Sequence, residues 1–380
     1  MSEMKIKVIT VVGTRPEIIR LSEVINHLNH SDSIDHILIH TGQNYDYELN
    51  EIFFEDLGLQ RPDFYLNAVG RTQLETIGKI LMNIDPILEQ EKPDAFLVLG
   101  DTNSCLCAIA AKKRKIPVFH MEAGNRCFDM RVPEELNRRI VDHVADINLT
   151  YSDIAREYLL AEGIPANRII RTGSPMLEVL EKHKEKIHCS EIVQKLSLES
   201  NKYFVVSCHR AENVDSPNFA SFLETLNTIA EKYTYPIIFS THPRTKLKID
   251  QCELQLNPLI TILKPLSFTD FNALQIHSTA VLSDSGTISE ESSILGFSAL
   301  NLRESHERPE AMEETPVILT GLNPSRILNS LEEIIYTKES MELNIVKDYS
   351  YQNIASKVVR IILSYEHFVR REVWKDYQSL

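Results

Sequence analysis

The stretch Lys5–His30, KIKVITVVGTRPEIIRLSEVINHLNH, runs from a β-branched segment through Gly13 and Pro16 into an amphipathic helical segment. The first part is hydrophobic nearly throughout, as expected of a strand buried on both faces of a parallel sheet. Pro16 at a helix N1 position and Glu17 near the positive end of the helix dipole are helix-start chemistry. The same alternation recurs. HILIH (36–40), AFLVL (95–99), IPVFH (116–120), DINLT (146–150) and RIIRT (168–172) bring the first half to six strands. YFVVS (203–207), PIIFS (236–240), LITIL (259–263), TAVLS (279–283), FSALNL (297–302) and TPVIL (315–319) supply six more. Amphipathic spacers such as FASFLETLNTIAEKY (219–233) read as crossover helices. Six strands per half, alternating with helices, predict an α/β protein of two doubly wound parallel-sheet domains.

The charged, strand-free segment 181–200 separates the halves, giving domains over 1–180 and 181–352. Residues 353–380 read as one long helix with an apolar face that must dock; packing back on the first domain is one solution, and the hydrophobic pattern does not choose. A chain of 380 residues is long enough for two full cores. Fifty-four acids against forty bases leave a net charge of −14, which argues against nucleic acid and anionic membrane surfaces but leaves room for a small anionic ligand. The N-terminal apolar run is too short for a signal peptide or a membrane span, so a cytoplasmic protein is expected. The six cysteines form no CxxC pair, Cys105 and Cys107 read as small buried core thiols, and no HxxxH or HExxH accompanies His209, so no metal is expected.

Ligands of open α/β sheets bind beyond the carboxyl ends of the strands. Only twelve glycines occur, and five of them (Gly13, Gly100, Gly124, Gly173, Gly286) follow predicted strands in the company GTRPE, GDT, MEAGNR, TGSP and DSGT. In DSGTISEE (284–291), Ser285, Gly286 and Thr287 would offer backbone N–H groups to a diphosphate; Ser285 as a plain helix cap is the alternative. Arg15 follows the first strand, where it can contact phosphate. Asp101 and Glu122 lie past neighbouring strands, where mutual repulsion would raise at least one pKa. Glu134 and Arg138, like Glu135 and Arg139, are i,i+4 pairs of a solvated helix beginning at Pro133, although Glu134 in the first turn can instead face a cleft. His209 and Arg210, His242 in THPR and Arg308 in HERPE add hydrogen-bonding and cationic groups from the second half. Neither GxGxxG nor GxxxxGK[ST] is present, which demotes dehydrogenase and P-loop readings.

In their order and spacing, GTRPE, GDT, MEAGNR, PEELNRR, HRAEN, DSGTISEE and HERPEA resemble the non-hydrolysing UDP-N-acetylglucosamine 2-epimerase family, over about residues 5–370. The resemblance implies a GT-B-like fold of two Rossmann-like domains facing a cleft, no added cofactor and a homodimer. It implies UDP contacts at Arg15, Ser285, Gly286 and Glu291 (the last at the ribose hydroxyls), Phe271 near the uracil, and Arg308 as the arginine of the ERPEA loop. It implies Asp101, Glu122 and Glu134 as acid/base carboxylates and His209 on the diphosphate side. Arg20 stands where the family usually has lysine, so a point donor becomes a planar fork. DSGT in place of DSGG, NRCFDMRVPEE and HRAENVD are similar to the branch that converts UDP-2-acetamido-2,6-dideoxy-L-talose to UDP-N-acetyl-L-fucosamine for capsule or O-antigen. Gln43 is followed by Asn44 where the family's effector site has GQH. Rival readings are a UDP-GlcNAc/UDP-ManNAc 2-epimerase, a hydrolysing epimerase, a retaining GT-B glycosyltransferase, which would need an acceptor, and a non-catalytic UDP-sugar sensor, in which three acid/base carboxylates would serve no purpose.

Overall fold

The computed structural model describes residues 5–42, 53–252, 254–337 and 344–376. Its chain divides into two compact units, Met1–Glu181 with Ser350–Leu380, and Lys182–Tyr349. Among the described residues the first unit holds seven strands: β1 (Ile6–Val12), β2 (Ile34–His40), β3 (Phe64–Tyr65), β4 (Ala95–Leu99), β5 (Val118–Met121), β6 (Ile147–Thr150) and β7 (Ile169–Arg171). All pair in parallel, in the order β3-β2-β1-β4-β5-β6-β7. The second unit carries β8 (Phe204–Ser207), β9 (Ile237–Ser240), β10 (Ile260–Leu263), β11 (Ala280–Ser283), β12 (Ala299–Asn301) and β13 (Val317–Leu319), also all parallel, ordered β10-β9-β8-β11-β12-β13.

Both doubly wound sheets predicted from the hydrophobic runs are therefore present. The extra strand, β3, spans two residues at the sheet edge, too few to leave a periodic signal. In each sheet the strand order reverses once, between β1 and β4 and between β8 and β11. Such a switch point opens a crevice at the carboxyl ends, because the connections on either side leave to opposite faces. The first unit's main core packs Ile9, Val11, Phe96, Val98 and Val118 against Ile80, Ile84 and Val141 of the flanking helices. Phe204, Val206, Phe239 and Leu282 anchor the second, with Phe222, Leu226 and Leu331 above them.

Segment 181–200 is free of strands, as expected. It folds into short helices at Lys184–His188 and Ile192–Lys195, and Ser190 Oγ donates to Asp270 Oδ1 at 2.5 Å within the second unit. The last helix, Ile354–Glu372, belongs to the first unit, where Ala355 N donates to Glu178 Oε2 (2.9 Å) and Arg370 Nη2 to Asp94 Oδ1 (2.9 Å). It stops short of the predicted end because Lys375 takes a left-handed φ of 53°, turning the chain so that Asp376 N donates back to Arg370 O. Residues 377–380 lie outside the described residues. No helix among the described residues is long and apolar enough to cross a membrane.

Candidate functional site

Each switch point assembles its own set of polar side chains. In the first unit the turn after β1 leads into the helix Arg15–Asn29 through a capping box, with Thr14 as N-cap and Glu17 at the third helical position. Pro16 is thus the second helical residue rather than the first, since Arg15 already has helical geometry. Glu17 is buried and reaches back to accept from Gly13 N (2.7 Å) and Thr14 N (2.8 Å), while its other oxygen accepts from Thr102 Oγ1 (2.5 Å) in the turn after β4. One carboxylate thereby ties together both turns of the switch point. Burial pushes the Glu17 carboxyl above its ordinary pKa, because these donors are neutral and only partly offset the lost hydration. Gly13 is required here: a Cβ would lie 2.0 Å from Ser104 Oγ and 2.2 Å from Thr41 Oγ1. Arg15 is half-buried, its guanidinium carbon 5.6 Å from the centroid of the Phe53 ring.

Asp101 follows β4 and Glu122 follows β5, so the parallel pairing of these strands places them side by side. Bare repulsion between the two is not what the structure contains, because a guanidinium bridges them. Arg138 Nη2 pairs with Asp101 Oδ2 and lies 3.1 Å from Glu122 Oε1, while Nη1 donates to the Glu122 carbonyl at 2.6 Å. Arg20 Nη1 sits 2.7 Å from the other Glu122 oxygen. Arg20, Glu122 and Arg138 are all buried. The expectation of a solvated face for Glu134, Glu135 and Arg138 is corrected accordingly: the helix Pro133–Val144 turns Arg138 into the sheet end, and Glu135 is buried too. The Glu135–Arg139 pair is present at 2.7 Å, but Glu135 also accepts from Cys127 N (2.9 Å), tying down the loop beyond Glu122. Glu134 lies half-buried in the first turn of this helix. Asn137, not anticipated from the sequence, donates to the Asp101 carbonyl at 3.0 Å.

In the second unit the organising group is Asp284, fully buried at the end of β11. Its carboxylate accepts from His209 N (3.0 Å), Arg210 N (2.9 Å) and Asn213 Nδ2 (3.1 Å), all on the segment after β8, and lies 3.1 Å from His209 Nδ1. Burial works against its ionisation, but the neighbouring His209 and Arg210 outweigh burial and hold the Asp284 carboxyl well below the usual carboxylate range. Asp284 is absent from the residues expected at this turn, although an acid directly at a strand end is the signal in the sequence that marks it.

The turn itself is held from several sides. Ser285 Oγ and Thr287 Oγ1 hydrogen-bond at 2.9 Å, and Thr287, rather than Ser285, is the N-cap of the helix Ile288–Leu295. Arg308 is buried; its Nε donates to the Gly286 carbonyl (2.7 Å) and its Nη2 lies 3.2 Å from Glu290, itself fully buried. Arg308 thus supports the Gly286 turn from beneath. Nearby, Arg210 donates through Nε to the Asp284 carbonyl (3.1 Å) and pairs with Glu307 (3.3 Å), which Arg303 also contacts at 2.6 Å. Buried Glu291 accepts from Gln275 Nε2 at 3.0 Å, which links the turn to the helix Phe268–Ile276 carrying half-buried Phe271. His242 caps the helix Pro243–Gln251, its ring nitrogen accepting from Arg244 N at 3.4 Å. Gln43 and Asn44 lie outside the described residues.

Chemically, the first unit offers carboxylates held in fixed orientation by buried arginines, an arrangement able to move protons. The second offers a braced strand-to-helix turn with backbone N–H groups, suited to an anion.

Comparison with known proteins agrees with this chemistry. The UDP-N-acetylglucosamine 2-epimerase family profile matches residues 26–363. The chain is 36% identical over 365 residues to a UDP-N-acetylglucosamine 2-epimerase of Methanocaldococcus jannaschii, covering 94% of this chain and 98% of that protein. It is 34% identical over 329 residues to the UDP-2,3-diacetamido-2,3-dideoxy-D-glucuronate 2-epimerase of Pseudomonas aeruginosa, covering 85% and 91%. Among solved structures, the UDP-N-acetylglucosamine 2-epimerase of Rickettsia bellii superposes with a TM-score of 0.90 at 46% identity, over 98% of this chain and 100% of that one. The M. jannaschii enzyme in complex with UDP-GlcNAc and UDP gives 0.87 at 35% identity, over 94% and 100%. The chain belongs to the UDP-N-acetylglucosamine 2-epimerase family and is an isomerase, a UDP-sugar 2-epimerase.

Proposed function

We propose that the chain inverts C2 of a UDP-2-acetamido sugar by eliminating and re-adding UDP, and that its substrate is UDP-2-acetamido-2,6-dideoxy-L-talose, giving UDP-N-acetyl-L-fucosamine for capsule or O-antigen. The observation that carries the reaction is the placement of Asp101 and Glu122 at adjacent strand ends, bridged by Arg138. The C2 hydrogen is not next to a carbonyl, so its removal needs help from a departing group. Arg15, the 285–287 turn and His209 stabilise UDP as the C1–O bond breaks, and C1 gains oxocarbenium character. One carboxylate of Asp101, Glu122 and Glu134 takes the C2 proton, leaving a 2-acetamidoglycal. UDP then re-adds at C1 while a second carboxylate returns a proton on the other face. Phe271, Glu291, Arg308 and Thr287 complete the UDP side, with Arg210 and His242 beside it, and Arg20 orients Glu122. The enzyme works as a cytoplasmic homodimer.

The substrate assignment rests on DSGT, NRCFDMRVPEE and HRAENVD. UDP-GlcNAc is the second reading, favoured by the names of the M. jannaschii and R. bellii relatives. Incubation of the enzyme in deuterated water with each UDP-sugar tests both levels. Deuterium at C2 and faster turnover of the 6-deoxy-L-talo substrate are expected. Unlabelled C2 would sink the mechanism, and efficient use of UDP-GlcNAc alone would overturn the substrate. Asp101→Asn and Glu122→Gln should each lower kcat by about 10²–10⁴-fold, the usual worth of a positioned acid or base.

A further inference from the structure

Two buried side chains that the mechanism leaves unused hold both carboxylate-bearing turns. His120 on β5 is fully buried, and its Nε2 lies 2.7 Å from the Gly100 carbonyl, the residue before Asp101. That carbonyl only accepts, so Nε2 is the donor of this contact. The other ring nitrogen lies 2.9 Å from Asp142 Oδ1 on the helix Pro133–Val144. Asp142, equally buried, accepts from Gly124 N at 3.2 Å, two residues past Glu122, and its other oxygen lies 2.7 Å from Arg126 Nη1. Burial opposes its charge, but His120, Arg126 and Arg138 outweigh this and hold the Asp142 carboxyl below its ordinary range. The turns need such a hold. Gly100 (φ 80°), Glu122 (φ 61°) and Gly124 (φ 81°) are all left-handed, and at Glu122 a side chain bears that strain.

We infer that His120 and Asp142 are positioning residues for the epimerisation: through Gly100 and Gly124 they fix where Asp101 and Glu122 stand relative to one another. The inference rests on the acid/base reading of those two carboxylates. Displacing a proton-transfer group by about an ångström is enough to cost two orders of magnitude in rate. Because both groups are buried and act through the Gly100 and Gly124 backbone, their loss should fall on kcat and on the fate of the intermediate.

The test is steady-state kinetics of the full chain with the UDP-sugar it turns over fastest, using His120→Leu, His120→Gln and Asp142→Asn. His120→Leu should lower kcat by about 10–100-fold with KM and UDP affinity within about twofold of wild type, and should release more free UDP and 2-acetamidoglycal per epimer formed. His120→Gln, which keeps a donor for the Gly100 carbonyl, should recover part of the rate and remains readable if the leucine variant does not fold. An unchanged kcat and product ratio in both His120 variants and Asp142→Asn, with Asp101→Asn and Glu122→Gln inactive, would overturn the positioning role alone. Full activity of Asp101→Asn and Glu122→Gln would remove the acid/base reading and this inference with it. Loss of UDP affinity in parallel with kcat would mark a general structural defect and also overturn it.

Discussion

Glu17 and Asp284 brace the switch points of the two units from opposite sides, Glu17 from the helix after the first strand and Asp284 from the end of the strand across the switch, and they respond in opposite ways. Each is a buried carboxylate at the switch point of its sheet, and each binds backbone N–H groups of the turn after the unit's first strand. Glu17 has neutral donors, so burial raises its pKa. Asp284 has His209 and Arg210 beside it, so its pKa falls. The same topological problem, closing a turn at a strand end, is thus solved once with a carboxyl among neutral donors and once with a carboxylate beside a cation. The second solution suits a turn proposed to hold UDP, since the buried anion keeps His209 and Arg210 in register beside that turn.

The sharpest way to break this comparison is to neutralise each carboxylate by its amide. Asp284 accepts N–H donors from His209, Arg210 and Asn213 on its two oxygens, so Asp284→Asn points an NH₂ at another donor and removes the negative charge that faces Arg210. It should cost about 3–5 kcal/mol, the usual penalty for breaking a buried pair. Urea unfolding followed by circular dichroism measures it. The single tryptophan, Trp374, lies against Lys112 (5.1 Å) in the first unit, so its fluorescence should report the loss less strongly.

Acid should separate the two carboxylates as well. The depressed pKa of Asp284 means that its stabilisation is present above the ordinary value near 3.9 and is lost as pH falls below it. The raised pKa of Glu17 has the reverse sign: its contribution is full below about 4.3 and fades as pH rises through its folded value. Unfolding at pH 6 and pH 3.5 should show wild type weakening in acid, and Asp284→Asn should flatten that slope.

Smaller effects follow at the turns. Gly13→Ala forces a methyl into Ser104 and Thr41 and should destabilise by about 1–3 kcal/mol in thermal melts. Glu17→Gln should cost only about 1 kcal/mol, because the amide can aim its oxygen at Gly13 N and Thr14 N and its NH₂ at the Thr102 hydroxyl, which also accepts. A loss as large as that of Asp284→Asn would erase the distinction drawn here. Gly286→Ala should change stability least, within about 0.5 kcal/mol, since its φ is not left-handed and a Cβ meets Arg210 Nη2 only at 3.4 Å. Calorimetry with UDP should nonetheless show weaker binding if the 286 backbone approaches the diphosphate.

The strands were legible because burial on both faces writes an uninterrupted apolar run, whereas β3 was not, since two residues carry no period. Arg138 shows the limit of local pattern. Helical spacing puts residues 134 and 138 on one face, but whether that face meets water or a sheet end depends on where the whole helix packs. Asp284 shows another. Its partners lie some 75 residues away, beyond the reach of motif spacing. His120 was read only as part of a strand, and nothing around it in sequence announces Asp142 or Gly100.

Two doubly wound sheets, the strand-end glycines and the acids, arginines and histidines beside them follow from the sequence alone, because alternating apolar runs dictate parallel β-α units and tight exits require small residues. Which charges are buried, and which cation each carboxylate meets, only the tertiary structure decided. Solvation is a property of three-dimensional packing, and for Glu17 and Asp284 it is the neighbours brought from distant strands that set the sign.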